Sequence, residues 1–188
     1  MTKENSSGEK DRGCCENRSC PYSEEELSRY AEKVQRLIDK NDCEVFLNRS
    51  EWHAAIILRK FIESAKKTIS IFCGHLNKNV YGDLLPCFQA AVERGVTVRV
   101  LTASPEVCAK EVAEGLRSMG AFQSLKDVDE DAPHFAIVDG MRYRLETCEA
   151  DKSAVVCAYA DTKEQVRRAC SLDILFNFLW DISTTETV

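Results

Sequence analysis

The sequence predicts an α/β fold in which a mixed, largely parallel sheet carries helices on both faces. Three observations point that way. Amphipathic helical stretches alternate with short apolar runs, and the run Thr68–Cys73 is β-branched and apolar throughout, as a strand covered on both faces must be. The helical stretch from about Val80 to Glu93 stops at Gly95 and leads straight into a second such run, Val96–Leu101. Beyond residue 130 the pattern changes, and Asp139-Gly140 between two apolar runs reads as a hairpin turn that adds antiparallel strands.

Taken in order, residues 1–22 are polar and rich in Ser, Asn and Gly, and read as a tail carrying Cys14, Cys15 and Cys20. Ser23 and Glu26 form a capping box that opens a helix, giving an N-terminal helical segment over residues 23–42 whose Leu27, Tyr30, Val34, Leu37 and Ile38 share one face. The domain proper is expected over residues 43–182. It begins with a strand at Cys43–Leu47, then a helix capped by Ser50 and running from Glu51 to about Lys67, with Trp52, Ile56, Phe61 and Ile62 inward. After the two central strands, Ser104-Pro105 starts a helix that Gly120 ends. Phe135–Val138 and Met141–Leu145 form the hairpin and Ala154–Tyr159 another strand. Thr162 and Gln165 are a second capping box, opening a helix that runs to Trp180, and residues 183–188 are a short tail.

Composition bounds the function. The 188 residues include 25 Lys and Arg against 31 Asp and Glu, a net charge of −6, so wholesale wrapping by nucleic acid is excluded while a local basic site is not. No run reaches the roughly 18 apolar residues of a membrane span, and no export signal is read, so a cytoplasmic chain with reduced thiols is expected. The ten cysteines include no paired spacing suited to zinc, and neither a metal nor a cofactor is expected. Cys73, Cys87, Cys108, Cys157 and Cys170 fall in apolar or periodic stretches and read as small buried hydrophobes.

Two places can carry chemistry. His75, Asn77 and Lys78 follow the Thr68–Cys73 strand and precede a helix, where open sheets gather ligands; Asn77 can equally serve as a helix cap. The hairpin offers His134, Arg142 and Arg144. A two-residue turn puts Phe135, Ile137, Arg142 and Arg144 on one side and His134, Ala136, Val138, Met141 and Tyr143 on the other. Paired guanidiniums suit a phosphate or carboxylate, and Glu146 or the acidic stretch Lys126–Asp131 is the competing internal partner.

Over about residues 50–182 the chain resembles the phospholipase D-like superfamily. The resemblance rests on Thr68–Cys73, on Leu84–Leu101 with its Arg94-Gly95-Val96 step from helix to strand, on His134 through Asp139-Gly140, and on the closing helix around Phe178–Trp180. It implies half of a two-part active site, completed in a homodimer, whose signature is His-x-Lys-x4-Asp with a nucleophilic His. This sequence departs from that signature. With His134 as the family histidine, Ala136 replaces the Lys; with Asp139 as anchor, His134 takes the Lys position and Ala132 that of the nucleophile. The expectation is a degenerate, non-catalytic domain that binds an anionic, phosphate-containing small molecule, a nucleic-acid end or a protein partner, with His75, Asn77, Lys78, His134, Arg142 and Arg144 around the ligand. The alternative is a metal-independent homodimeric phosphodiesterase or nuclease with His134 as nucleophile.

Overall fold

The computed structural model describes residues 20–125, 134–148 and 153–183. Helix α1 (Glu24–Asp39) starts where its capping box requires: the Ser23 hydroxyl accepts the Glu26 N–H, and the Glu26 carboxylate accepts the Ser23 N–H. Its buried Val34, Leu37 and Ile38 share one core with α2 (Glu51–Ser64), on which Ala54, Ile57, Leu58, Phe61 and Ile62 are buried. The short strand β1 (Val45–Asn48) lies between these helices in the chain. Strand β2 (Thr68–Cys73) falls as expected.

The helix expected from Val80 is broken in two. A four-residue α3 (Lys78–Tyr81) passes through a 3₁₀ turn at Gly82–Leu84 into α4 (Leu85–Glu93). Pro86 accounts for the break: lacking an N–H, it belongs in a first helical turn, and it sits at the start of α4. Gly95 adopts φ +83° just beyond α4, the left-handed conformation that ends a helix, and β3 (Thr97–Thr102) follows. Pro105 opens only a 3₁₀ turn. The helix beyond it, α5 (Lys110–Ser118), ends before Gly120 at φ +68° and leads into β4 (Phe122–Ser124), three residues too few to show in the sequence. The acidic stretch Lys126–Asp131, Ala132 and most of the N-terminal tail lie outside the described residues.

Strands β5 (Phe135–Val138), β6 (Arg142–Cys148) and β7 (Ser153–Cys157) complete a seven-stranded sheet of order β1-β7-β6-β5-β2-β3-β4. The sheet is mixed, with less parallel pairing than the sequence suggested. Only β2–β3 and β3–β4 run parallel, and the other four pairings are antiparallel. Helices cover both faces. On one side, α1, α2, α4 and α5 enclose the larger core; on the other, α6 (Lys163–Ile182), capped by Thr162 and Gln165, packs Ala169, Leu172 and Phe176 over Phe72, Leu101, Phe135, Ile137 and Tyr143. Cys73 and Cys157 are buried as expected, whereas Cys87 and Cys108 are half-buried and Cys170 is exposed on the outer side of α6. No described helix is long and apolar enough to cross a membrane.

Candidate functional site

The hairpin connection decides which side chains meet. Asp139 and Gly140 take φ +54° and +67°, and the Met141 N–H closes the turn on the Val138 carbonyl at 3.1 Å. Met141 is nevertheless one residue too many for a two-residue turn: Val138 pairs with Arg142, Ile137 with Tyr143 and Ala136 with Arg144. A slip of one position moves every side chain of a strand to the other face. Arg142 and Arg144 therefore share the face of His134, Ala136 and Val138, under α1 and α2, and not that of Phe135 and Ile137 as a two-residue turn requires.

The slip assembles a buried polar chain at the carboxyl end of β2. His134 Nε2 accepts the Gly74 N–H at 2.8 Å, which fixes the imidazole as the Nδ1–H tautomer, and Nδ1 lies 3.2 Å from Glu146 Oε1. Glu146 Oε2 accepts Arg144 Nη1 and Nη2 at 3.1 and 3.0 Å, and Arg144 Nε donates to Asn48 Oδ1 at 3.0 Å. Asn48 Nδ2 in turn donates to the Ser50 carbonyl at 3.3 Å. The Gly74 carbonyl is held from the other side by Thr102 Oγ1 and the Ser104 N–H, each at 2.7 Å. A side chain at position 74 has no room, since a Cβ there would lie 2.6 Å from His134 Nε2.

Beside this chain is a cavity of about 30 Å³, room for about one water, lined by His75, Asn77, His134, Arg144 and Glu146 together with Ala54, Leu58, Cys73, Val80 and Tyr81. Burial is the main influence holding the Tyr81 phenol well above its usual range; the Cys73 thiol acts in the same direction and Arg144 against it. Four of the six residues singled out from sequence thus meet here: His75, Asn77, His134 and Arg144. Asn77 also caps α3, its Oδ1 accepting the Asn79 N–H at 2.8 Å. Lys78, the residue after Asn77, is exposed with Nζ 3.0 Å from Glu111 and does not line the cavity. Arg142 is elsewhere. It binds Asp139 at 3.2 Å at the far end of the hairpin and does not line the cavity.

Asp139 does structural work there. Burial pushes its carboxyl up, but the Thr68, Lys67 and Lys66 N–H groups and Arg142 outweigh that, and the net shift is below its ordinary value. Gly74, Glu146 and Asn48 complete the site, and sequence reasoning did not place them in it. Glu146 had entered only as a possible partner of the arginines, and the bond to Arg144 is what forms. The one available signal for Asn48 was an amide in an otherwise apolar strand. Among the described residues, no group of three or more His, Cys, Asp or Glu side chains could hold a metal ion.

No protein-family model matches the sequence, and no curated protein does. Solved structures do. Nuc from Salmonella typhimurium, a phospholipase D family member, superposes with a TM-score of 0.58 at 16% identity, covering 77% of this chain and 100% of Nuc. NucT from Helicobacter pylori gives 0.57 at 13% identity over 76% of this chain and 99% of NucT. The chain therefore has a phospholipase D-like fold. TrmBL2, an archaeal chromatin protein with a novel mode of DNA binding, gives 0.55 at 16% identity over 86% of this chain, which spans 64% of TrmBL2.

Proposed function

We propose that this chain is a non-hydrolytic phospholipase D-like domain that holds a phosphate-type anion at the mouth of the His134 cavity, with His75, Asn77 and Lys78 at the rim and Arg144 behind. The carrying observation is the bond from the Gly74 N–H to His134 Nε2: a nucleophilic imidazole needs that lone pair free, and here the backbone holds it. Ala136, on the same sheet face as His134, supplies no charge to a phosphoryl group, which removes an electrostatic contribution typically worth about 3–4 kcal/mol in the transition state. Lys78 is the adaptable cation, since its ion pair with Glu111 is exposed and such pairs contribute little. The DNA-binding description of TrmBL2 supports including nucleic-acid phosphates in the ligand class. The test is an NMR titration of the full chain with inorganic phosphate, a mononucleotide and a 5′-phosphorylated oligonucleotide, alongside a chelator-treated phosphodiesterase assay. Shifts centred on Gly74–Lys78 that vanish in the His75→Ala, Lys78→Ala double variant, without turnover, are expected. Identical shifts in that variant overturn the site.

One observation favours a second reading, a homodimeric phosphodiesterase or nuclease. The His134 Nδ1–H faces Glu146, the arrangement by which a carboxylate orients a reactive imidazole. In that reading Gly74 releases Nε2, whose lone pair forms a bond to phosphorus as the ester P–O bond breaks and the leaving oxygen takes a proton from water; a water then attacks phosphorus, the P–N bond breaks and the lone pair returns to Nε2. Metal-independent turnover abolished by His134→Ala selects this reading over the first.

A further inference from the structure

The two halves of α1 are held differently. Its C-terminal half buries Val34, Leu37 and Ile38 in the larger core, and Lys33 reaches Glu44 at 2.9 Å while lying over the Phe46 ring. Its first two turns, Glu24–Tyr30, and the Tyr22 before them bury no residue fully, and their ring contacts are with the first turn of α2. The His53 imidazole lies against both Tyr22 and Tyr30, with ring centroids 4.6 and 4.1 Å away, and Trp52 meets Tyr22 edge-on at 6.2 Å. Two groups in this stack are poorly satisfied. The Tyr30 hydroxyl is shut off from solvent with no hydrogen-bond partner among the described residues, and the half-buried His53 imidazole has neither a hydrogen-bond nor an ion-pair partner among them. A layer held this way is the part of a helix interface that opens first.

We infer that the first two turns of α1, together with Tyr22, form a proton-sensitive latch on the first turn of α2, shut while His53 is neutral and lifted when it is charged. A charged imidazole carries two N–H donors, and the stack offers it no acceptor, so charging favours the state in which the ring is hydrated. Burial pushes the imidazole below its ordinary value of 6.5 and is the only influence on it. The charges on the surrounding elements are engaged elsewhere. On α1, Glu26 takes the Ser23 N–H and hydroxyl, and Arg29 pairs with Glu25; behind Tyr30, Arg144 is bound to Glu146 and Asn48; Glu51 on α2 and Arg49 before it do not act on the ring. Docking is therefore complete above pH 6.5 and weakens as the pH falls below it, because the undocked ring holds the proton more tightly. The latch adjoins the cavity. His53 is followed by Ala54, which lines the cavity with Leu58; burial raises the Tyr30 phenol and Arg144 acts against it, so lifting Tyr30 brings water toward the Arg144–Glu146 pair. None of this depends on what the cavity holds.

Amide hydrogen exchange of the full chain at about pH 7 and about pH 5.5, corrected for the intrinsic pH dependence of exchange, tests this without any ligand. On acidification, protection over Leu27–Ala31 is expected to fall by about tenfold while Val34–Ile38 and Ile57–Ile62 keep theirs. His53→Phe keeps a ring in the stack, removes the titrating group and abolishes the fall; His53→Leu gives the same pH-independence should the larger ring fold poorly. Tyr30→Phe removes the unpaired hydroxyl, so it raises protection over the same residues at neutral pH and leaves the acid response in place. Protection that does not change with pH overturns the inference. So does protection that rises on acidification, the result if the tyrosine faces hold an imidazolium by cation–π attraction. A fall that persists in both His53 variants overturns it by assigning the response to another group, and a fall that extends through α6 overturns it as acid unfolding of the whole domain.

Discussion

At one end of the β5–β6 hairpin Arg144 is locked to Glu146; at the other, two residues earlier in the same strand, Arg142 meets Asp139. Both guanidiniums are more than nine-tenths buried, and the two carboxylate side chains are 7% and 14% exposed. Burial does not separate the pairs. What separates them is the carboxylate's remaining company: Asp139 takes three backbone N–H groups of Lys66–Thr68, whereas Glu146 takes its bonds from the Arg144 and His134 side chains. An anion held by backbone amides survives loss of its arginine. One held by side chains depends on it.

The largest effect is therefore expected from Arg144→Met. It takes the arginine away from the buried Glu146 carboxylate and the Nε donor away from Asn48, and a buried pair broken on one side typically costs about 3–5 kcal/mol. Denaturant unfolding measures the loss. Pairing it with Glu146→Leu is expected to recover part of the stability, because the orphaned charge goes with the arginine. A double variant no better than the single places the cost in packing and not in charge.

How much of this the sequence shows depends on the range of the interaction. Both capping boxes, Gly95 and Gly120, and the strands Thr68–Cys73 and Phe135–Val138 are local, and they read correctly because hydroxyl, amide and glycine act within a few residues. The β2–β5 pairing is not local, and apolar alternation carries no strand direction, so the share of antiparallel pairing was underestimated. The most consequential error was one residue long. Asp-Gly announced a tight turn, but nothing in Asp139-Gly140-Met141 says that Met141 adds a third residue to the connection, and that position alone decides whether the arginines face α6 or the opposite side of the sheet, where Arg144 meets the cavity and Arg142 meets Asp139. The same slip hid Glu146 as the partner of His134, since that contact exists only once both residues share a face.

Asp139 breaks the comparison from the other side. Asp139→Ala removes the acceptor for three N–H groups and replaces, at φ +54°, a residue that tolerates the left-handed region by one that tolerates it less well, so a loss of about 2–4 kcal/mol is expected, mostly from the lost amide bonds. The pH dependence follows from its lowered pKa. A carboxyl whose folded pKa lies below its ordinary 3.8 contributes stability that is complete above that value and is lost as pH falls through the folded pKa. Unfolding midpoints of wild type and Asp139→Asn are thus expected to converge on acidification below about pH 4. A gap that stays constant there assigns the role of Asp139 to turn geometry alone.

Gly74→Ala probes the cavity end without touching a charge. Its Cβ would lie 2.6 Å from His134 Nε2, so the ring must leave the Gly74 N–H or the backbone must shift, at an expected cost of about 1–3 kcal/mol. Imidazole ¹⁵N shifts report the same event more directly. The wild type is expected to show a single Nδ1–H tautomer for His134, and Gly74→Ala a loss of that preference. An unchanged tautomer means that Glu146 alone orients the ring.

The smallest effect is expected where intuition about buried arginines predicts a large one. Arg142 is 8% exposed and its Nε has no partner among the described residues, so part of the guanidinium is already unsatisfied in the folded chain. Arg142→Met fills similar space, removes that unpaired donor and leaves Asp139 its three amide bonds; the expected change is within about 1 kcal/mol of wild type. A loss approaching that of Arg144→Met would mean that the Asp139 carboxylate needs a cation as much as Glu146 does, and the distinction drawn between backbone-held and side-chain-held anions would fail at the place where the two pairs are otherwise best matched.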